Sequence, residues 1–194
     1  MAEQPTIDRK RSAMLIMDYQ SAVVAGFGTD QEALLRRSAE VLKAARAAGL
    51  PVIYVVVGFR PDYPEISSRN LTFSGIKQSG RFASGDAAAE IHPEVAPQRG
   101  DLTVVKHRVS AFAGTDLEMI LRARDIDTLI LFGIATSGVV LSTVRYAADA
   151  DYRIMVIKDC CSDRDAEVHN CLMDKVFPRQ ATVISASDFL QALR

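Results

Sequence analysis

The 194-residue chain contains no tryptophan, and only three cysteines and three histidines. The cysteines, Cys160, Cys161 and Cys171, are odd in number and clustered, so they do not form a disulfide framework. The histidines, His92, His107 and His169, are scattered and share no zinc spacing with the cysteines, so no metal is expected. Long hydrophobic runs are missing too. Nothing approaches the roughly 18 apolar residues that cross a bilayer, and Asp18 interrupts the first apolar run, Ser12 to Met17, before it could act as a secretion signal. A cytoplasmic protein without membrane contact is the resulting expectation. Charge of one sign is also lacking. Lys plus Arg is 23, Asp plus Glu is 24, and the net charge of −1 gives no basic field for nucleic acid. The single tight basic run, Arg9-Lys10-Arg11, reads as a solvated strand start.

What is present is an ordinary globular composition, 48% hydrophobic and 24% charged. At this length one domain over residues 1–194 is expected, burying roughly 70% of its unfolded surface. Short continuous apolar runs read as strands: Met14 to Met17, Val52 to Val57, Leu102 to Val105, Thr128 to Phe132, Ile154 to Ile157 and Thr182 to Ile184. Their unbroken apolarity predicts burial on both faces, as in a parallel sheet.

Helical segments lie between them. Thr29-Asp30-Gln31-Glu32 and Thr115-Asp116-Leu117-Glu118 have the capping-box pattern. The first opens a helix with Leu34, Val41, Ala45 and Ala48 on one face, stopped by Gly49 and Pro51. Further helices are predicted over Ser137 to Ala150, over Asp165 to Val176 (burying Val168, Cys171 or Leu172, and Val176), and over Asp188 to Leu193. The alternation predicts an α/β/α sandwich with a mostly parallel six-stranded sheet. Residues 58–101 break the rhythm. They lack a clear strand, are rich in Pro, Gly and Ser, and carry Phe59, Tyr63, Phe73 and Phe82. Such an insertion reads as a lid, binding loop or interface segment.

Ligands in parallel α/β sheets bind at the carboxyl ends of the strands. Asp18 follows the first strand and suits a general acid or base, with Gln20 beside it. Lys106 follows the third, in Lys-His-Arg-Val-Ser-Ala-Phe, and next to Asp18 it would act on that carboxyl and on a developing oxyanion. Gly133-Ile-Ala-Thr-Ser-Gly-Val-Val joins the fourth strand to a helix, and its small residues and helix start offer backbone donors to an anion. Thr136 and Ser137 in this turn are substrate-binding candidates. Cys160 and Cys161 follow the fifth strand.

Together the Asp18, Lys106 and Gly133 motifs resemble the isochorismatase-like hydrolase superfamily, which includes nicotinamidases and N-carbamoylsarcosine amidohydrolases. The resemblance runs from Ser12 to about Ile184. It implies the three-layer fold, dimers or larger homo-oligomers, and a catalytic Asp and Lys at Asp18 and Lys106. It also implies a cis Ile134–Ala135 peptide that aims the amides of Ala135 and Val139 into the site as an oxyanion hole. The nucleophilic cysteine of the superfamily's cysteine hydrolases falls on Val139, which has no lone pair. The nicotinamidase metal cluster has no counterpart in Gly58 to Tyr63. True isochorismatases resemble this pattern, keeping the Asp and Lys without the cysteine. No nucleotide, flavin or haem cofactor is indicated.

Three functions follow. One is hydrolysis of a small, cyclic or partly apolar metabolite by Asp18 and Lys106, with vinyl-ether or water-activated chemistry. The aromatics Phe59, Tyr63 and Phe73 would contact its body and Arg60, Arg69 or Arg108 its carboxylate. Another is an amidase whose thiol has moved to Cys160 or Cys161. The last is a member without turnover that binds a small molecule or a partner protein.

Overall fold

The computed structural model describes residues 6–27 and 30–194. Six strands form one sheet: β1 (Ser12–Met17), β2 (Val52–Val57), β3 (Leu102–Lys106), β4 (Thr128–Gly133), β5 (Arg153–Ile157) and β6 (Thr182–Ile184). Their order is β3-β2-β1-β4-β5-β6, and every neighbouring pair is parallel, so the sheet is wholly parallel. All six residues of β1 and all six of β4 are buried, which requires helices on both faces. The expectation of two buried faces fails at β3. Thr103 and Val105 are exposed there while Val104 and Lys106 are buried, because β3 is an edge strand with one face open.

Among the described residues, seven α-helices accompany the strands: α1 (Ser21–Phe27), α2 (Gln31–Ala47), α3 (Leu71–Ser79), α4 (Leu117–Ala123), α5 (Leu141–Asp149), α6 (Ala166–Cys171) and α7 (Ala186–Ala192). Asp30 caps α2 by accepting from Ala33 N at 3.2 Å. Thr29, where the capping box was expected to begin, lies outside the described residues. At α4 the expected box is not made. Thr115 Oγ1 accepts from Leu117 N at 3.3 Å, and Asp116 makes no side-chain cap.

The helix expected from Ser137 begins as a π turn over Thr136–Val140 before α5. The one expected over Asp165 to Val176 is α6 followed by a π turn over Leu172–Val176. That turn rotates the face. Leu172 is buried, the second of the two alternatives expected there, Val176 is half-buried, and Val168 is exposed, which corrects that one position of the expected buried stripe. The last helix starts earlier than predicted, because Ser185 and Asp188 form the capping box. Helices α1 and α3 have no counterpart in the sequence reading; both are short and lack a long apolar period.

Two features shape the site. The chain reverses its direction across the sheet between β1 and β4, so their following loops diverge and leave a crevice at the strand ends. Gly133, paired with Met17 at that point, lies so close that a Cβ there would stand 2.8 Å from Met17 O. Within the 58–101 insertion, Phe59, Tyr63, Ile66, Phe73 and Phe82 join Val57 in an apolar cluster separate from the main core.

Candidate active site

Asp18 directly follows β1, in a left-handed conformation (φ 57°) that a non-glycine residue adopts at a cost. Its amide still donates to Val55 O at 2.8 Å, so the strand fixes where the side chain begins. Lys106 ends β3, two strands away, about 10 Å at ordinary strand spacing. A long side chain is needed to cross the end of β2. Lys106 Nζ reaches Asp18 Oδ2 at 2.9 Å, and both side chains are buried. Nζ also donates to Arg108 O at 3.2 Å. Among the described residues its third N–H has no protein partner, and buried Asp18 Oδ1 has none either.

Burial is the largest influence on Asp18 and lifts its carboxyl above the usual carboxylate range. The Lys106 charge and hydrogen bond pull it partly back. A buried ion pair is weak evidence for stability, because desolvation offsets the attraction. A perturbed carboxyl in a cavity is a better sign of chemistry.

That cavity holds about 490 Å³. Asp18 and Lys106 line it together with Ile134, Ala135, Gly138 and Val139 of the turn after β4. The Ile134–Ala135 peptide is cis. The remaining wall is mainly apolar: Val23 and Phe27 from α1, Val57, Phe73 and Ile76 from α3, Phe82 and Val109. Two guanidinium groups, Arg81 and Arg164, also line it. Arg164 stacks on Phe27, its Cζ 4.2 Å from the ring centroid, and donates to Gly26 O at 3.0 Å.

The other expected contacts lie elsewhere. Gln20 is buried, but its amide is committed to the backbone, accepting from Val57 N and donating to Val57 O and Ala89 O. Gln20, Phe59 and Arg60 line a different hollow of about 890 Å³ beside the exposed face of β2 and β3. Arg60 pairs with Glu65 at 2.6 Å. Tyr63 sits in the aromatic cluster, its hydroxyl on Arg81 O at 3.0 Å. Arg69 and Arg108 are exposed and do not line the Asp18 cavity, where the guanidinium groups present are those of Arg81 and Arg164. Of the three aromatics singled out, Phe73 alone reaches the cavity. Thr136 is fully buried and hydrogen-bonded to Ser162 O and His169. Ser137 is exposed, and its amide donates to Asp163 Oδ2 at 2.7 Å.

Cys160 and Cys161 are buried and do not line the cavity. Burial pushes the Cys160 thiol to about 12 and Cys161 further still, the reverse of what a nucleophilic thiol needs. This disfavours a relocated thiol.

Arg164 was legible as a residue shortly after β5, at the same sheet edge as Asp18 and Lys106. It stands between Asp163 and Asp165, just ahead of the helix predicted from Asp165. Asp165 does cap α6, while Arg164 faces the cavity. Phe82 stands in the sequence only as one of the insertion's four aromatics, and Arg81 and Phe27 carry no signal.

The sequence matches the family model of the isochorismatase domain over residues 12–188. The chain belongs to the isochorismatase family of hydrolases. Within that family it is similar to the protein YecD of Escherichia coli O157:H7, with 32% identity covering 96% of this chain and 98% of that one. It is 34% identical to the ureidoacrylate amidohydrolase of Yersinia enterocolitica over 76% of this chain and 74% of that one. A cysteine hydrolase structure from Pseudomonas syringae pv. phaseolicola 1448A superimposes with a TM-score of 0.89 over 100% of this chain and 98% of that one, at 24% identity, and so shares the fold. The isochorismatase-family fold accounts for the wholly parallel sheet. Among the described residues there is no group of three or more His, Cys, Asp and Glu placed to hold a metal ion, and no helix long and apolar enough to cross a membrane.

Proposed function

We propose that this isochorismatase-family protein hydrolyses a small anionic metabolite at the Asp18–Lys106 pair without a covalent enzyme intermediate. The observation that carries the reading is the buried Asp18 carboxyl, bonded to Lys106 through Oδ2 and without a partner on Oδ1, in a cavity where position 139 is valine. A carboxyl lifted by burial is suited to give up a proton. In the vinyl-ether form of the reaction, Asp18 protonates the double-bond carbon and water adds to the resulting oxocarbenium ion. The addition product loses a proton and splits into a carbonyl compound and an alcohol. Lys106, at 2.9 Å, stabilises the carboxylate left on Asp18. Arg81 and Arg164 supply positive charge for a substrate carboxylate, and Phe27, Phe73 and Phe82 pack its apolar body.

The amidohydrolase relative favours a second reading, in which ionised Asp18 draws a proton from water and that water attacks an amide. The two differ in pH dependence. As a general acid, Asp18 must hold its proton, so kcat/KM is full at low pH and falls as pH rises through its raised pKa. As a base, it gives the opposite limb.

A mass-spectrometric turnover screen of wild type beside Asp18→Asn tests both readings, using a panel of isochorismate, cyclic imides, carboxamides, N-carbamoyl amino acids and esters. The expected loss in the variant is about 10²- to 10⁴-fold. Undiminished turnover in Asp18→Asn overturns both readings. Tight binding of a panel compound by wild type without turnover points to the binding-only member. The resemblance also carries a homo-oligomer, which light scattering on the purified protein measures.

A further inference from the structure

The turn after β4 is held from behind by the segment that follows β5. Ile134 pairs with Ser162 in a parallel bridge, Thr136 N donates to Ser162 O at 2.9 Å, and Ser137 N donates to Asp163 Oδ2 at 2.7 Å. Ser162 Oγ reaches on to Phe27 O at 2.7 Å, so the same residue ties the turn to the end of α1. At the centre is the fully buried Thr136 hydroxyl, which lies 3.2 Å from Ser162 O and 2.8 Å from His169 Nδ1.

A hydroxyl has one proton. If Nδ1 were bare, that proton would face two acceptors, and one close contact would set lone pair against lone pair. With a proton on Nδ1 both contacts become hydrogen bonds: Nδ1–H donates to Thr136 Oγ1, and Oγ1–H donates to Ser162 O. Ser162 O then accepts from both the amide and the hydroxyl of Thr136, which uses its two lone pairs. We propose that His169 is a positioning residue, whose Nδ1–H anchors Thr136 and through it holds the Ile134–Val139 wall of the cavity in place.

The relay survives a change of charge on the ring, because Nδ1 keeps its proton in both the neutral form and the cation. Burial pulls the ring's pKa down, while the carboxylates that act on it, Asp163 from the β5–α6 loop and Asp174 from the π turn after α6, pull it up. Only the tautomer matters to the anchor. No other described contact gives His169 a part in the chemistry, and it does not line the cavity. The inference rests on the proposed function only for its effect on turnover.

The test begins on the wild-type protein with ¹⁵N-labelled histidine, where three histidines make assignment simple. Near neutral pH the ring nitrogens of His169 should show a protonated Nδ1 and a bare Nε2; a bare Nδ1 overturns the proposal. His169→Asn keeps an N–H donor close to the Nδ1 position, whereas His169→Gln places its amide near Nε2. Hydrogen exchange at the Thr136 amide should stay near wild type in His169→Asn. It should rise about tenfold in His169→Gln and in Thr136→Val, each of which breaks the side-chain anchor. Equal exchange in the Asn and Gln variants means that His169 acts by bulk alone and overturns the proposal. These arms need no substrate, so they decide the anchor even if no panel compound reacts and the reading of the function fails. With a reacting compound, displacement of the turn should lower kcat in His169→Gln by roughly tenfold to a hundredfold, restored in His169→Asn; unchanged kcat in both overturns the positioning role.

Discussion

The two apolar clusters of the molecule are built differently and serve the site differently. The main core is the buried sheet, in which β1 and β4 carry no exposed residue. The second cluster is aromatic and local, with Phe59, Tyr63, Phe73 and Phe82 closing on one another within the 58–101 insertion. The sheet places Asp18, Lys106 and the turn after Gly133, each within a residue of a strand end. The aromatic cluster contributes Phe73 and Phe82 to the cavity, with Arg81 beside them. Position is set by the ladder of strand hydrogen bonds, which tolerates little shift. Part of the cavity wall comes from this loop-rich segment, and segments of that kind vary most readily between proteins of one fold.

Replacing Lys106 by methionine attacks the sheet side and should have the largest effect on stability. It leaves Asp18 without its counter-charge, and breaking a buried pair costs about 3–5 kcal/mol. The sign follows from the raised Asp18 carboxyl. Unfolded, Asp18 titrates near 3.8; folded, it titrates higher. The folded state therefore holds the extra proton between those values, and stability falls as pH rises through that window. Without Lys106 the folded value rises further. Urea denaturation should show the Lys106→Met deficit shrinking from pH 7 toward pH 4.

Phe73→Ala attacks the aromatic side. Removing a buried Phe costs about 3 kcal/mol or more, but here the loss should stay local. Hydrogen exchange should quicken through residues 59–82 while amides of β1 and β4 keep their protection. Equal loss of protection in both regions would show that the two clusters unfold as one.

Gly133→Ala tests the seam between β1 and β4. The added Cβ would stand 2.8 Å from Met17 O and 2.9 Å from Met17 Cβ, both backbone-fixed positions. Overpacking of this kind costs about 1–3 kcal/mol, read as a lowered urea midpoint with an unchanged slope. Leu71→Ser, at a side chain 93% exposed on α3, should lie within about 0.5 kcal/mol of wild type. A larger loss would reveal that Leu71 is covered in solution by another copy of the chain.

The sheet side was largely legible beforehand. Continuous apolar runs marked all six strands to within a residue or two, and the strand-end rule singled out Asp18, Lys106 and the Gly133 turn. The aromatic side was not. Phe59 and Tyr63 look like Phe73 in sequence, yet of the three Phe73 alone reaches the Asp18 cavity, carried there by α3, while Phe59 lines the other hollow and Tyr63 lines neither. Helix α3 went unseen because it is nine residues long and capped only by Asn70 and Gly80. Arginines were expected at positions 60, 69 and 108, and the cavity is lined by those at 81 and 164.

Apolar periodicity and strand-end chemistry belong to the sequence itself, since a buried parallel strand needs its apolar run wherever the chain goes. They determined the fold class, the order of the strands along the chain, and the two strand-end residues, Asp18 and Lys106, that meet in the cavity. Tertiary structure alone decided three things: that Lys106 crosses the end of β2 to reach Asp18, that Cys160 and Cys161 are sealed from the cavity, and that His169 meets Thr136 from 33 residues away. Each depends on which strands are neighbours and how far a side chain reaches between them, and no local pattern of residues encodes those distances.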